Sequence, residues 1–244
     1  MPYSRLGSCL LCLAFVAVGS GGLIAYGSPA TRYEPSIYSA TPIGVWIAVT
    51  IGLICSILVM VLAARYEAIA GRVWRLGLAG LLLTNAIVLS LPLVRSYAFW
   101  QAQADPGTHI GLVKGILQTG HFLDNNPYPI LHTLVAVTKQ VSGMSLLDLG
   151  LALPLVFTLI GFAFAYLWVS ALLPSRTGVI LASIAATLLV GGWYVNLTPN
   201  HMATRMFPVL LYLFTKSTST GSNNSRLTPL LLFLIALPLM HPVP

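Results

Sequence analysis

Long runs of apolar residues dominate this chain and leave few charges to face water. Of its 244 residues, 57% are hydrophobic and only 7% are charged, whereas soluble domains carry roughly 25% charged residues. A helix crosses the hydrocarbon core of a bilayer with about 20 mainly apolar residues. The sequence therefore predicts an all-α, polytopic transmembrane helical bundle in the lipid bilayer rather than a soluble domain.

The apolar segments predict about seven membrane spans. The first is longer than the apolar part of a cleaved signal peptide, which is about 7–15 residues, so a membrane anchor is favoured over a leader. The last two are shorter than the others. In order, the segments are residues 6–26, 42–64, 76–94, 147–173, 178–195, 206–215 and a run that begins at residue 228.

Basic residues in the short loops indicate the orientation, because cytoplasmic loops carry an excess of Lys and Arg. Placing these loops in the cytoplasm leaves residues 27–41, 95–146 and 196–205 on the outer face. The net charge of +7 does not indicate nucleic acid, which requires basic residues clustered on a solvated face. The orienting residues are Arg5, Arg65, Arg72, Arg75, Arg176, Lys216 and Arg226.

The predicted outer face holds most of the side chains capable of acid–base chemistry. Asp105-Pro106-Gly107 is typical of a turn that starts a helix. Amphipathic stretches on either side of residues 120–129 predict two helices lying in the membrane interface, with His132 facing water. The outer residues are His109, His121, His132, His201, His241, Glu34, Asp105, Asp124 and Asp148.

The segment 95–146 resembles the first large outer loop of the GT-C superfamily of membrane glycosyltransferases. The shared features are Asp105 soon after a span, two interfacial helices, and Tyr128-Pro129 between them. The resemblance covers residues 95–244 and is greatest to mannosyltransferase-like and oligosaccharyltransferase-like members of archaeal type. It implies an N-terminal transmembrane hairpin over 1–75 and a GT-C-like transmembrane region over 76–244. Unlike the family pattern, Pro106 replaces a second acid, and the loop follows the third span.

The resemblance implies transfer of a sugar from a polyprenyl-phosphate carrier to an acceptor glycan, lipid or protein outside the plasma membrane. It implies Asp105 as the catalytic residue, although Asp is also a preferred helix N-cap. Carboxylate oxygens suit Mg²⁺ or Mn²⁺, so Asp105 and Asp124 are alternative cation ligands. Arg205 and Arg95 suit the donor phosphate, since guanidinium binds it bidentately. The expected substrate-binding residues are His109, His121, Tyr128, His201, Arg205 and His241.

Two other classes of function stay open. A membrane transporter is expected to hold polar groups near mid-bilayer on broken helices, and the spans offer little beyond Thr84 and Asn85. A non-catalytic membrane subunit or fragment is the second alternative. The last apolar run is short and stops at His241-Pro242-Val243-Pro244, so we expect the chain to be the N-terminal part of a longer protein.

Overall fold

The computed structural model is all-helical over the residues that it describes. These are residues 2–32, 34, 36–66, 73–97, 105–122, 126, 128–188, 197–218 and 227–240, and none of them forms a strand. The predicted all-α class is therefore confirmed. Within these ranges the helices are α1 (Pro2–Tyr26), α2 (Ile37–Ala40), α3 (Ile43–Arg65), α4 (Val73–Val94), α5 (Asp105–Thr119), α6 (Pro129–Ser142), α7 (Leu146–Leu172), α8 (Arg176–Leu188), α9 (Pro199–Thr218) and α10 (Leu227–Met240).

Four of the described helices are long and apolar enough to cross a membrane. They are α1 over Arg5–Tyr26, α3, α4 and α7, and each coincides closely with a predicted span. Helices α8 and α10 are apolar but only 13 and 14 residues long in the described part of the chain. The chain is thus a membrane protein, and the count of seven spans stays a prediction.

One compact unit comprises Met1–Tyr97 and Leu172–Val190, in which α1, α3 and α4 pack together. Glycines set the separation of α3 and α4. A Cβ added at Gly80 would lie 2.6 Å from Ser56 Oγ, and one at Gly77 would lie 3.2 Å from the Ser56 carbonyl oxygen. Small residues allow such close packing in a bilayer, where water does not drive helices together. The predicted sequence boundary at residue 75 falls inside this unit and stays a prediction.

The start of α8 binds the end of α3 within the same unit. Arg176 Nη2 donates a hydrogen bond to the Ala63 carbonyl, and Thr177 Oγ1 donates one to the Ala64 carbonyl at 3.2 Å. Both carbonyls belong to the last four of α3, which have no hydrogen-bond donor within their own helix. The two helix ends therefore lie side by side, as expected if both adjoin cytoplasmic loops.

Helix α4 ends in a left-handed turn at Ser96, whose φ is +59°. The Ser96 N–H donates to the Leu93 carbonyl at 3.1 Å, and the Tyr97 N–H donates to the Pro92 carbonyl at 2.9 Å. These two bonds define a Schellman cap, which usually carries glycine at this position. An L-residue in the left-handed backbone conformation costs roughly 1–2 kcal/mol. The turn brings Arg95 and Tyr97 to the same acidic partner, Glu34.

A second compact unit comprises Ala98–Ala171 and Gly191–Pro244. Helices α5 and α6 are amphipathic, as predicted, although their position in the membrane interface stays a prediction. Gly161 of α7 lies against α9, because a Cβ there would be 2.7 Å from the Arg205 carbonyl oxygen. The buried core draws on α5, α6, α7, α9 and α10 and includes Ile110, Val113, Leu131, Val135, Leu149, Phe157, Leu197, Met202, Met206 and Met240.

Candidate functional site

Asp105, the catalytic residue implied by the resemblance, begins α5 and is exposed. His109 follows one helical turn later and is half-buried, so both side chains share one face of the helix. Burial lowers the pKa of His109 below its ordinary value, and the negative charge of Asp105 partly offsets that effect. The helix therefore holds a carboxylate next to an imidazole that is neutral at pH 7.

His132 connects α6 to His109. The His109 Nδ1 and His132 Nε2 atoms are 2.9 Å apart, and the two rings stack with centroids 5.1 Å apart. The His132 side chain is 0% exposed, so the prediction that it faces water is wrong. It shares the buried face of α6 with Leu131 and Val135, and hydrogen bonding at its ring nitrogens, to His109 among others, makes that burial tolerable.

Asn126 extends this arrangement on the other side of His132. The Asn126 Oδ1 atom lies 2.7 Å from His132 Nδ1 and accepts the Tyr128 backbone N–H at 3.2 Å. Burial and the neighbouring His109 lower the pKa of His132 to about 4, while a hydrogen bond to the Tyr128 backbone opposes the shift. We call Asn126, His132 and His109 the imidazole chain; at pH 7 its two rings are uncharged.

His201 and Arg205 form a second group at the start of α9. The His201 Nε2 atom lies 3.2 Å from the Pro154 carbonyl and 3.3 Å from Thr158 Oγ1, both on α7. Burial lowers the pKa of His201 to about 4; the Pro154 carbonyl raises it and the charge of Arg205 lowers it. His201 is therefore a neutral, buried residue, whose Nδ1 atom has no hydrogen-bond partner in the described part of the chain.

The other predicted site residues are less closely connected. His121 is exposed just after α5, and its Nδ1 atom lies 3.0 Å from the Thr119 carbonyl. In the described ranges no hydrogen bond joins it to the imidazole chain. Tyr128 contributes its backbone N–H, which donates a hydrogen bond to Asn126 Oδ1. Asp124 and His241 lie outside the described residues.

Arg95, which we expected to meet the donor phosphate, is occupied by Glu34 in the first unit. Its Nη1 and Nη2 atoms bind the two carboxylate oxygens at 2.8 and 3.0 Å, and its side chain is 3% exposed. Arg95 also donates to the Ser28 carbonyl at 2.9 Å and to Thr41 Oγ1 at 3.3 Å, and the Tyr97 hydroxyl donates to Glu34. This Glu34–Arg95 cluster leaves the guanidinium no open side for a phosphate.

Hydrogen bonding controls the ionisation of this cluster. The hydrogen bonds from Arg95 and Tyr97 lower the pKa of Glu34 below its usual range, so the carboxylate stays charged. Burial, together with the hydrogen bond to Glu34, raises the pKa of Tyr97 to about 12. The cluster therefore joins the segment between α1 and α2 to the end of α4 as a charged pair rather than as a reactive group.

The sequence did not predict the hydrogen-bonding roles of three of these residues, Glu34, Asn126 and His132. Asn126 and His132 are six residues apart, a separation at which an Asn before a helix start can reach a ring in the first turn. Glu34 and Arg95 are separated by 61 residues, and no local pattern connects them. Their pairing depends on the packing of α1 against α4.

A metal site receives no support beyond single carboxylates. Among the described residues, no group of three or more His, Cys, Asp or Glu side chains is arranged to hold a metal ion.

No protein-family model, curated protein or solved structure matches the chain. The functional hypothesis therefore depends on the residues of the site itself.

Proposed function

We propose that this chain is a membrane glycosyltransferase of the GT-C type, which moves a sugar from a polyprenyl-phosphate carrier to an acceptor. The observation that supports this proposal most is the exposed carboxylate of Asp105 one turn from His109, a ring held in place by the imidazole chain. Transfer to a hydroxyl group requires a positioned group that removes its proton. Asp105 acts at the reacting centre, as a general base or as a ligand of Mg²⁺ or Mn²⁺.

The donor phosphate is assigned to the start of α9. Arg205 lies there, and its charge acts on the buried imidazole of His201. A guanidinium recognises phosphate oxygens through parallel N–H donors. The acceptor is a glycan, lipid or protein, and His121, Tyr128 and His241 are its proposed contacts.

The proposal places the protein in the plasma membrane with seven crossings, α8, α9 and α10 completing the spans after α7. Two features of the first unit support the predicted sides. The start of α8 binds the end of α3, and the Ala30 N–H in the first outer loop donates to the Arg95 carbonyl at 2.7 Å. Asp105 and His201 are then both on the outer face.

Cysteine labelling tests these sides. In a variant with Cys9, Cys12 and Cys55 replaced by alanine, we expect Asp105→Cys and Asn200→Cys to react with a membrane-impermeant maleimide in intact cells. The matched control is Ser175→Cys, in the exposed turn between α7 and α8, which should react only after permeabilisation. Labelling of positions 105 and 200 from opposite sides would refute a common outer site.

Substitution of Asp105 tests the activity. In proteoliposomes supplied with tritiated polyprenyl-phosphate mannose and, separately, glucose, Asp105→Asn should lower transfer by at least about 100-fold, because it removes the negative charge at the reacting centre. Asp148→Asn is the matched control, because Asp148 is also an exposed acid at a helix start, where it binds Ser145 Oγ at 2.6 Å. Transfer at the wild-type rate by a folded Asp105→Asn protein would contradict the proposed role.

A further inference from the structure

The backbone N–H of Tyr128 fixes the direction of every hydrogen bond in the imidazole chain. A backbone N–H only donates, so the side-chain atom of Asn126 that faces it, at 3.2 Å, must be the oxygen. This contact settles the amide orientation, which geometry alone often leaves open. The same oxygen lies 2.7 Å from His132 Nδ1, and therefore His132 Nδ1 carries the hydrogen.

The proton positions then follow along the chain. His132 is fully buried and neutral, so a hydrogen on Nδ1 leaves a lone pair on Nε2. That lone pair lies 2.9 Å from His109 Nδ1, which must donate to it. A neutral His109 with its hydrogen on Nδ1 presents an unprotonated Nε2, and this ring is only half-buried.

The amide group of Asn126 is only half-satisfied. Its Nδ2 atom is buried and has no hydrogen-bond partner among the described residues. A buried donor without a partner costs roughly 1–3 kcal/mol. The amide oxygen is fully used, since it accepts from the Tyr128 N–H and lies 2.7 Å from His132 Nδ1, and the second contact fixes the His132 tautomer.

We infer that His109 Nε2 is the group that takes the proton from the acceptor hydroxyl, with His132 and Asn126 as positioning residues. This inference rests on the proposed glycosyltransferase function and extends it. The acceptor O–H bond breaks and its proton moves to His109 Nε2, while the acceptor oxygen bonds to the anomeric carbon. The bond from that carbon to the phosphate oxygen breaks, and its electron pair leaves with polyprenyl phosphate. His109 then returns the proton to solvent.

Asp105 gains a defined role from this assignment. Two titratable groups act on His109: Asp105 from its own helix and His132 from α6. When His109 takes up a proton, the Asp105 carboxylate stabilises the imidazolium, and the neutral His132 accepts its Nδ1–H. Asp105 remains available to a cation or to the sugar, since it does not have to hold the proton.

Nitrogen NMR tests the tautomer without requiring any activity. In lipid nanodiscs, protein labelled with [¹⁵N]histidine should show His109 with a protonated Nδ1 and an unprotonated Nε2 at pH 7. His109→Gln assigns the signals. Asn126→Ala should allow both tautomers, because it removes the oxygen that orients His132. A protonated Nε2 on His109 in the wild type would overturn the inference.

Kinetics test the chemical role. His109→Gln should lower kcat by about 100-fold or more and abolish the fall in rate on the acidic side, below the ordinary histidine pKa of about 6.5. Lys114→Gln, on the exposed side of α5, should leave rate and profile unchanged. Wild-type rates from His109→Gln would refute the inference and leave the transferase intact. Absence of transfer by the wild type would instead refute the proposed function.

Discussion

Replacement of Glu34 by alanine should destabilise the folded protein by about 1–3 kcal/mol, the usual cost of leaving a buried polar group without its partner. Arg95 is 3% exposed and binds both carboxylate oxygens of Glu34. Without Glu34 its charge stays buried with uncharged partners only, the Ser28 carbonyl, Thr41 Oγ1 and the Tyr97 hydroxyl. Unfolding in detergent, followed by circular dichroism over temperature and denaturant, measures the loss.

A double-mutant cycle separates the ion pair from simple loss of packing. Arg95→Met combined with Glu34→Ala should be less destabilising than Glu34→Ala alone, because no buried charge is then left without a partner. Lys114→Ala, which removes an exposed charge, should change stability by less than about 0.5 kcal/mol. A loss of that small size for Glu34→Ala would show that water reaches Arg95.

The same pair makes stability depend on pH in one direction. Because the folded-state pKa of Glu34 is lowered, its contribution is fully present above the unfolded-state value of about 4.3. The contribution is lost as the pH falls through the folded-state pKa. The difference in stability between wild type and Glu34→Ala should therefore be constant near neutrality and shrink only in acid.

Replacement of Gly161 by leucine should prevent α7 and α9 from packing and leave little folded second unit. A Cβ at this position lies 2.7 Å from the Arg205 carbonyl oxygen, and the Arg205 carbonyl carbon and Cα are both within 3.5 Å. These atoms belong to the backbone, so no rotamer change relieves the clash and α9 itself must move. Even Gly161→Ala should cost about 1–3 kcal/mol, the range for overpacked sites.

Size-exclusion chromatography and thermal unfolding in detergent measure this effect, with Gly111 as the control position. A Cβ at Gly111 meets nothing within 4 Å, so Gly111→Ala should be neutral or stabilising, since alanine favours the helix. Normal stability of Gly161→Leu would mean that α9 does not lie against α7 at this point. The prediction also bears on the site, because Arg205 and His201 share this part of α9.

The helices were largely predictable because each is specified by local residues. Asp105-Pro106-Gly107 begins α5, and Gly120, with φ at +76°, follows its last residue Thr119. Apolar length predicted α1, α3, α4 and α7 to within a few residues. The count of seven spans is harder to predict, because α9 contains Pro208 and carries His201 and Arg205 in its first turns.

The site was predictable only in part, because its partners come from separate elements. Asp105 and His109 are one turn apart on a single helix, and their association follows from sequence spacing. The burial of His132 does not follow from sequence spacing. A histidine side chain is polar, so it is buried on an amphipathic helix only if another element supplies a hydrogen bond. Arg95 is the clearest failure, since its partner Glu34 lies 61 residues away.

The junction between α8 and α3 has a consequence for biosynthesis. Its unit is discontinuous in the chain, since Leu172–Val190 joins Met1–Tyr97 only after Ala98–Ala171 has been made. At about 5–20 residues per second, the ribosome leaves α1, α3 and α4 in the membrane for a period on the order of seconds before α8 arrives. During that interval the Ala63 and Ala64 carbonyls lack the hydrogen bonds that Arg176 and Thr177 later donate. The unit that contains the first helices to be inserted is thus complete only after α8 has been added.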